Sequence, residues 1–174
     1  MLEDEVDKKY YIDDGTLNNI VSDNQAGYLS GGNWDKINES CSRYYKEDWL
    51  APTIQTCQGG NTEPKVLIKN ATKKGYKEAY DGDSVNLSYP NSKTRRGRVG
   101  EQVSQTLQCN DSMGVVNNDL RIRKLTPKEC WRLMGFDDED YEKASKENSN
   151  TQLYKQAGNS IVVNVLESIL KNLL

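Results

Sequence analysis

Histidine is absent from this chain of 174 residues, and that absence removes more chemistry than any other feature of its composition. Without an imidazole there is no Ser-His or Cys-His activation of a nucleophile, and the commonest general base is missing. Independent hydrolytic chemistry is not expected. Apolar material is also scarce: hydrophobic residues make up 35% of the chain with a single Phe, and mean hydropathy is -0.85. Little surface is available to offset the entropy of ordering the backbone. The expectation is one domain, or a small domain with an appendage, whose thin core leans on a partner; a complete two-domain enzyme would need a longer chain. No apolar run approaches the roughly 20 residues of a membrane span. The acidic start, Met1 to Tyr11, has neither the charge nor the apolar pattern of a signal peptide, so a cytoplasmic protein with no membrane association is expected. Cys41, Cys57, Cys109 and Cys130 lie far apart and form no Cys-x-x-Cys pair. Reduced structural thiols are expected, and no metal site.

What is present is unevenly distributed. Net charge is only -3, yet residues 1–50 carry eleven acidic and five basic side chains, whereas residues 63–100 carry nine basic against four acidic. The middle region is the candidate for a polyanionic partner. Its centre, Asn91-Ser92-Lys93-Thr94-Arg95-Arg96-Gly97-Arg98-Val99-Gly100, combines four cations with small hydroxyls and glycines that allow close backbone approach. Lys93, Thr94, Arg95, Arg96 and Arg98 have the chemistry to meet phosphates, and an Arg can also hold guanine through a bidentate pair. Gln58, Gly59, Gly60 and Asn61 form a second loop of suitable chemistry, because Gln and Asn can pair with adenine. Solvated surface loops are the competing reading of both stretches.

Texture divides the chain at about residues 50 and 120. Residues 1–50 read as a polar connecting region with one short helix or turn near Asp14 to Ile20. Residues 51–120 are short β-like runs cut by glycines: 52–56, 65–68, 84–89, 102–108 and 113–116. The segments 52–57 and 105–109 echo each other, as two strand-loop-strand units would. In residues 121–174, Thr126 is placed as an N-cap with Pro127 at the first helical position, Glu129 closing a capping box and Leu125 stapling onto Cys130. The spacing predicts a helix over 127–134 that ends at Gly135, an acidic loop over 136–150, and a last amphipathic helix from about Ile161 to Leu173. The expected fold class is α+β, a small twisted antiparallel β domain with long loops followed by helices.

Two stretches make a family resemblance specific. Residues 123–136, Arg-Lys-Leu-Thr-Pro-Lys-Glu-Cys-Trp-Arg-Leu-Met-Gly-Phe, resemble the ninth conserved block of the DNA cytosine-5 methyltransferases. Residues 154–163, Tyr-Lys-Gln-Ala-Gly-Asn-Ser-Ile-Val-Val, resemble the tenth. Both occur in the family's order and at about its spacing. The resemblance implies that residues 51–120 are a target recognition domain for duplex DNA, and that the helices of 121–174 pack on a Rossmann-like catalytic domain. It also implies that Asn159 and Ser160 help to line the pocket for S-adenosylmethionine once the catalytic half is present. Gly158 would then allow close approach or positive φ, and the Asn-Ser pair would sit at a helix N-terminus.

The family's chemistry needs a Cys nucleophile in a Pro-Cys context, a Glu in a Glu-Asn-Val context, and a glycine-rich first block for the cofactor. None occurs in these residues, so no catalytic residue is expected and the chain alone should be inactive. Thr56-Cys57-Gln58 matches the nucleophile loop only in part. A catalytic half or subunit is the implied partner, with self-association through the last helix as a further expectation. The alternative is a freestanding DNA-binding or regulatory module derived from such an enzyme.

Overall fold

The computed structural model describes residues 2–21, 65–117 and 120–173. Two antiparallel sheets and five α-helices are built from them. Strands β1 (Val66–Lys69) and β2 (Tyr76–Ala79) form a two-stranded sheet. A four-stranded sheet has the order β4-β3-β5-β6, from β3 (Ser84–Asn86), β4 (Val99–Gly100), β5 (Met113–Val116) and β6 (Ile122–Lys124). The α+β class and the antiparallel pairing agree with the sequence reading. Residues 102–108, expected as a strand, are irregular, and the partner segment of the 105–109 echo lies outside the described residues, as do Cys41 and Cys57.

Strand β5 explains how so little apolar material makes a core. Its side chains alternate across the sheet. Met113 and Val115 join Leu125, Cys130, Trp131, Leu153, Tyr154 and Ala157 in one buried cluster, while Val116 joins Ile20, Ile68, Ala79, Val85, Leu87, Val99 and Ile122 in another. One strand serves two cores. All four of its residues are buried.

The helices follow from their caps. In α1 (Asp14–Ile20) the Asp13 carboxylate accepts from the Thr16 main-chain N–H at 3.1 Å, and Ile20 is fully buried. In α2 (Pro127–Leu133) the capping box is complete, with Thr126 accepting from the Glu129 N–H at 3.2 Å and Glu129 accepting from the Thr126 N–H at 2.8 Å. Gly135, at φ 84°, turns the chain out of α2 in the left-handed conformation that an L side chain resists. The expected acidic loop is instead helix α3 (Asp138–Glu147). Three of its five acidic residues, Asp138, Glu139 and Asp140, are in the first turn beside the positive end of the helix dipole, and Asp138 is gripped by Arg132 at 2.6 and 2.7 Å and by Lys128 at 3.3 Å. The stretch around Gly158 is also helical: α4 (Asn150–Asn159) buries Leu153, Tyr154 and Ala157. Trp131 Nε1 donates to the Leu153 carbonyl at 3.1 Å and Tyr154 OH to the Leu125 carbonyl at 2.7 Å, locking α4 onto α2. The last helix, α5, runs Val163–Leu173.

The N-terminal segment is fastened to β6 and to the start of α2. Tyr11 bridges to Arg123 of β6. The Glu3 N–H donates to Glu129 Oε1 at 2.8 Å, and its carboxylate accepts from Thr126 Oγ1 at 2.6 Å. Arg123 meets Glu129 in a bidentate pair at 2.8 and 2.9 Å, with side-chain exposures of 5% and 0%. Burial by itself would raise the Glu129 pKa, but hydrogen bonds from Arg123 and from the main-chain N–H groups of Glu3 and Thr126 outweigh it and hold the carboxyl below its ordinary 4.5. The unfolded chain therefore takes up this proton first. The contribution is complete above about pH 4.5 and is lost as pH falls through the depressed folded value. Replacing Glu129 by Ala leaves a buried guanidinium unpaired and should cost about 3–5 kcal/mol in urea unfolding at neutral pH. The deficit relative to the unmodified chain should narrow as pH falls below the carboxylate range.

Candidate functional site

The basic stretch lies in the connection from β3 to β4, and its shape is set from within. Arg98 departs from the expectation that it stands with its neighbours to meet DNA. It is 1% exposed. Its Nη1 donates to the carbonyls of Asn86 (3.2 Å) and Ser88 (3.1 Å), and its Nη2 to those of Tyr89 (2.7 Å) and Pro90 (3.5 Å). Burial, and secondarily the charge of Arg95, lower its pKa. The planar fork is what lets one side chain gather carbonyls from four residues. Arg98 is the brace of the loop, and the short strand β4 that begins at Val99 is why its side chain turns inward.

Lys93, Thr94 and Arg96 are exposed and Arg95 is half-buried. Two hydrogen bonds stitch this loop to the β1–β2 turn: the Ala71 N–H donates to the Arg95 carbonyl at 2.9 Å, and Arg96 Nε donates to the Ala71 carbonyl at 2.9 Å. That turn exposes Lys73 and Lys74. The fold thus sets the loop that carries Lys93, Arg95 and Arg96 against the turn that carries Lys73 and Lys74. In sequence, Lys73 and Lys74 stand out only as part of the basic count over 63–100. In the same region Lys65 pairs with Glu78 at 3.1 Å and Lys77 with Glu101 at 3.0 Å. Gln58, Gly59, Gly60 and Asn61 lie outside the described residues.

Asn159 and Ser160 close the C-terminal end of α4, a correction to their expected place at a helix N-terminus. Asn159 Oδ1 accepts from Cys109 Sγ at 3.0 Å, and Ser160 Oγ donates to the Ala157 carbonyl at 2.8 Å. The Asn159 amide N–H groups and the Ser160 oxygen lone pairs are the polar groups left to offer a cofactor. A cleft of about 390 Å³ nearby is lined by Lys9, Tyr10, Cys109, Asn150 and Tyr154 among others, and by neither Asn159 nor Ser160. Gly158 serves close approach: a Cβ there would meet the Gln108 carbonyl at 2.6 Å and the Cys109 nitrogen at 2.8 Å. Its φ is not positive. Cys130 is a buried neutral thiol, its pKa pushed up to about 12 by burial and by Glu129. Among the described residues no cluster of His, Cys, Asp or Glu could hold a metal, and no helix is long and apolar enough to cross a membrane.

The model for C-5 cytosine-specific DNA methylase matches residues 1–174, and the chain belongs to that family. It is 38% identical over 190 aligned residues to the orphan methyltransferase M.SPBetaI of Bacillus phage SPbeta, covering 100% of this chain and 41% of the phage protein. The same figures hold for the putative type II methyltransferase M.BsuMIIP of Bacillus subtilis (strain 168). The type II methyltransferase M2.ScrFI of Lactococcus lactis subsp. cremoris is 63% identical over 51 residues, 29% of this chain and 14% of that protein. The chain spans about two fifths of the length of the first two relatives. No solved structure matches it.

Gly158→Ala should push α4 away from Gln108 and Cys109, because the atoms in the way are main chain. An overpacking cost of about 1–3 kcal/mol is expected, read as a lower urea midpoint with an unchanged slope.

Proposed function

We propose that these residues are the DNA-recognition and cofactor-pocket-completing part of a DNA cytosine-5 methyltransferase, and that they transfer no methyl group by themselves. The observation that carries this reading is a family match along all 174 residues by a chain that spans only 41% of a full relative. The motifs that serve the family's nucleophile, its acid and its cofactor's first block are absent from these residues. A methyl transfer without them has no covalent intermediate to pass through. In the assembled enzyme, the loop and the turn that carry Lys73, Lys74, Lys93, Arg95 and Arg96 lie on duplex DNA. Asn159 and Ser160 then supply polar contacts at the edge of the S-adenosylmethionine site, whose bound cofactor provides the methyl group.

Helix α5 favours this reading over a freestanding module. Val165, Leu166, Ile169 and Leu170 are between 44% and 50% exposed, and Leu173 is 76% exposed. Each such side chain would contribute roughly 1.5–3 kcal/mol if fully covered. A module working alone would leave this stripe in water, whereas a catalytic half has reason to cover it. The purified chain should self-associate through α5 in size-exclusion experiments, and the catalytic half should displace that association.

Two measurements test the proposal. Tritium transfer from S-adenosylmethionine to duplex DNA should be undetectable with the chain alone and should appear when the catalytic half is added; transfer by the chain alone would sink the reading. In the assembled enzyme, replacing Lys93, Arg95 and Arg96 by Ala should flatten the plot of log affinity against log salt by about one unit for each phosphate that is no longer neutralised. An unchanged slope would move recognition to Gln58 through Asn61.

A further inference from the structure

Among the described residues, one aromatic side chain stands exposed while the rest are buried or half-buried: Tyr89, in the β3–β4 connection just before the basic stretch, is 74% exposed. Its backbone is also in the left-handed region, at φ 50°, which costs a bulky residue free energy that Gly or Asn would avoid. The fold holds it there nonetheless. The Tyr89 carbonyl accepts from Arg98 Nη2 at 2.7 Å and from the Ser92 N–H at 3.0 Å, and Arg98 Nη1 holds the preceding Ser88 carbonyl at 3.1 Å. A buried arginine thus serves to present a ring to solvent. Strain that is overdetermined by its surroundings points to function.

The ring lies near Arg95, whose guanidinium carbon is 5.8 Å from its centroid, and Lys93 and Arg96 are exposed on the same loop. An aromatic ring beside one cation, on a loop that exposes two more, matches a ligand that carries phosphates and flat rings together. Nucleic acid is that ligand. We propose that Tyr89 stacks on the face of a nucleobase at a step that opens in the bound duplex, and that Arg98 is the positioning residue that presents it. This rests on the reading of the basic loop as a DNA contact and adds to it a residue whose contribution is not electrostatic.

Stacking and charge separate in the assembled enzyme. Tyr89→Asn keeps a residue that accepts positive φ and removes the ring, and Tyr89→Phe keeps the ring. On a mixed-sequence genomic duplex, the Asn variant should bind about tenfold more weakly with an unchanged salt slope, because no charge is removed, and the Phe variant should bind within about twofold of the original. Ultraviolet cross-linking of the unmodified protein to the same duplex with 5-iodouracil in place of thymine should map to Tyr89, a result independent of how any variant folds. The stacking role is overturned if the Asn variant binds normally while the Lys93, Arg95 and Arg96 replacements still flatten the salt slope. It is overturned equally if Phe loses as much as Asn, which would assign the contact to the hydroxyl. Failure of the charge replacements themselves would instead remove the loop from DNA, and binding to anionic vesicles in preference to the duplex would give the exposed ring to a membrane surface.

Discussion

The buried pair of Arg123 and Glu129 is the constraint on which the arrangement of the chain depends. It joins the last strand of the main sheet to the first turn of α2 across six residues. Glu129 also closes the capping box and accepts from the Glu3 N–H, so one carboxylate organises a strand end, a helix start and the N-terminal segment. A pair this deeply buried is weak as a source of net stability, because desolvation offsets most of the attraction. Its effect is on specificity. Any arrangement in which β6, α2 and the N-terminal segment fail to meet leaves a charge without its partner in a dry environment, and such arrangements are excluded.

Much of this was legible in the sequence where the signal was local. Thr126, Pro127 and Glu129 specify the start of α2 by side-chain chemistry alone, and α1 lies at the expected Asp14–Ile20. Strand β5 was legible from its apolar run. Strands β2, β4 and β6 were not, since Tyr-Lys-Glu-Ala, Val-Gly and Ile-Arg-Lys carry little β signal and are held by the ladders they join. Helix α3 reads as a polar loop because Asp137 to Asp140 look like solvated charge; what orders it is Arg132 and Lys128, contributed by α2.

The same distinction governs the candidate site. Lys93, Thr94, Arg95 and Arg96 are exposed or half-buried as a run of cations suggests, but nothing in the run Arg95-Arg96-Gly97-Arg98 separates a surface arginine from a structural one. Only the antiparallel pairing of Val85 with Val99 decides it, by placing Arg98 over the carbonyls of residues 86–90. Likewise the Gly-Asn-Ser stretch contains no hint that its glycine is required by Gln108, fifty residues earlier, because close approach is a property of two segments and is written in neither.

A thin core can nevertheless hold the basic loop in a fixed relation to the helices, because the two buried clusters share a strand. Met113 and Val115 face α2 and α4, and Val116 faces the cluster beneath β1, β2 and the loop's base. A shift of the helical cluster relative to β5 would have to break the Leu125 N–H bond to the Met113 carbonyl at 2.8 Å, and a shift of the loop side would break the Leu87 N–H bond to the Ser112 carbonyl at 2.8 Å. Neither cluster can repack without disturbing the other's ladder. Under the proposed function, with α5 presented to a catalytic half and the basic loop on DNA, the position of that loop is passed through β5, which makes this short apolar strand the mechanical link between the two.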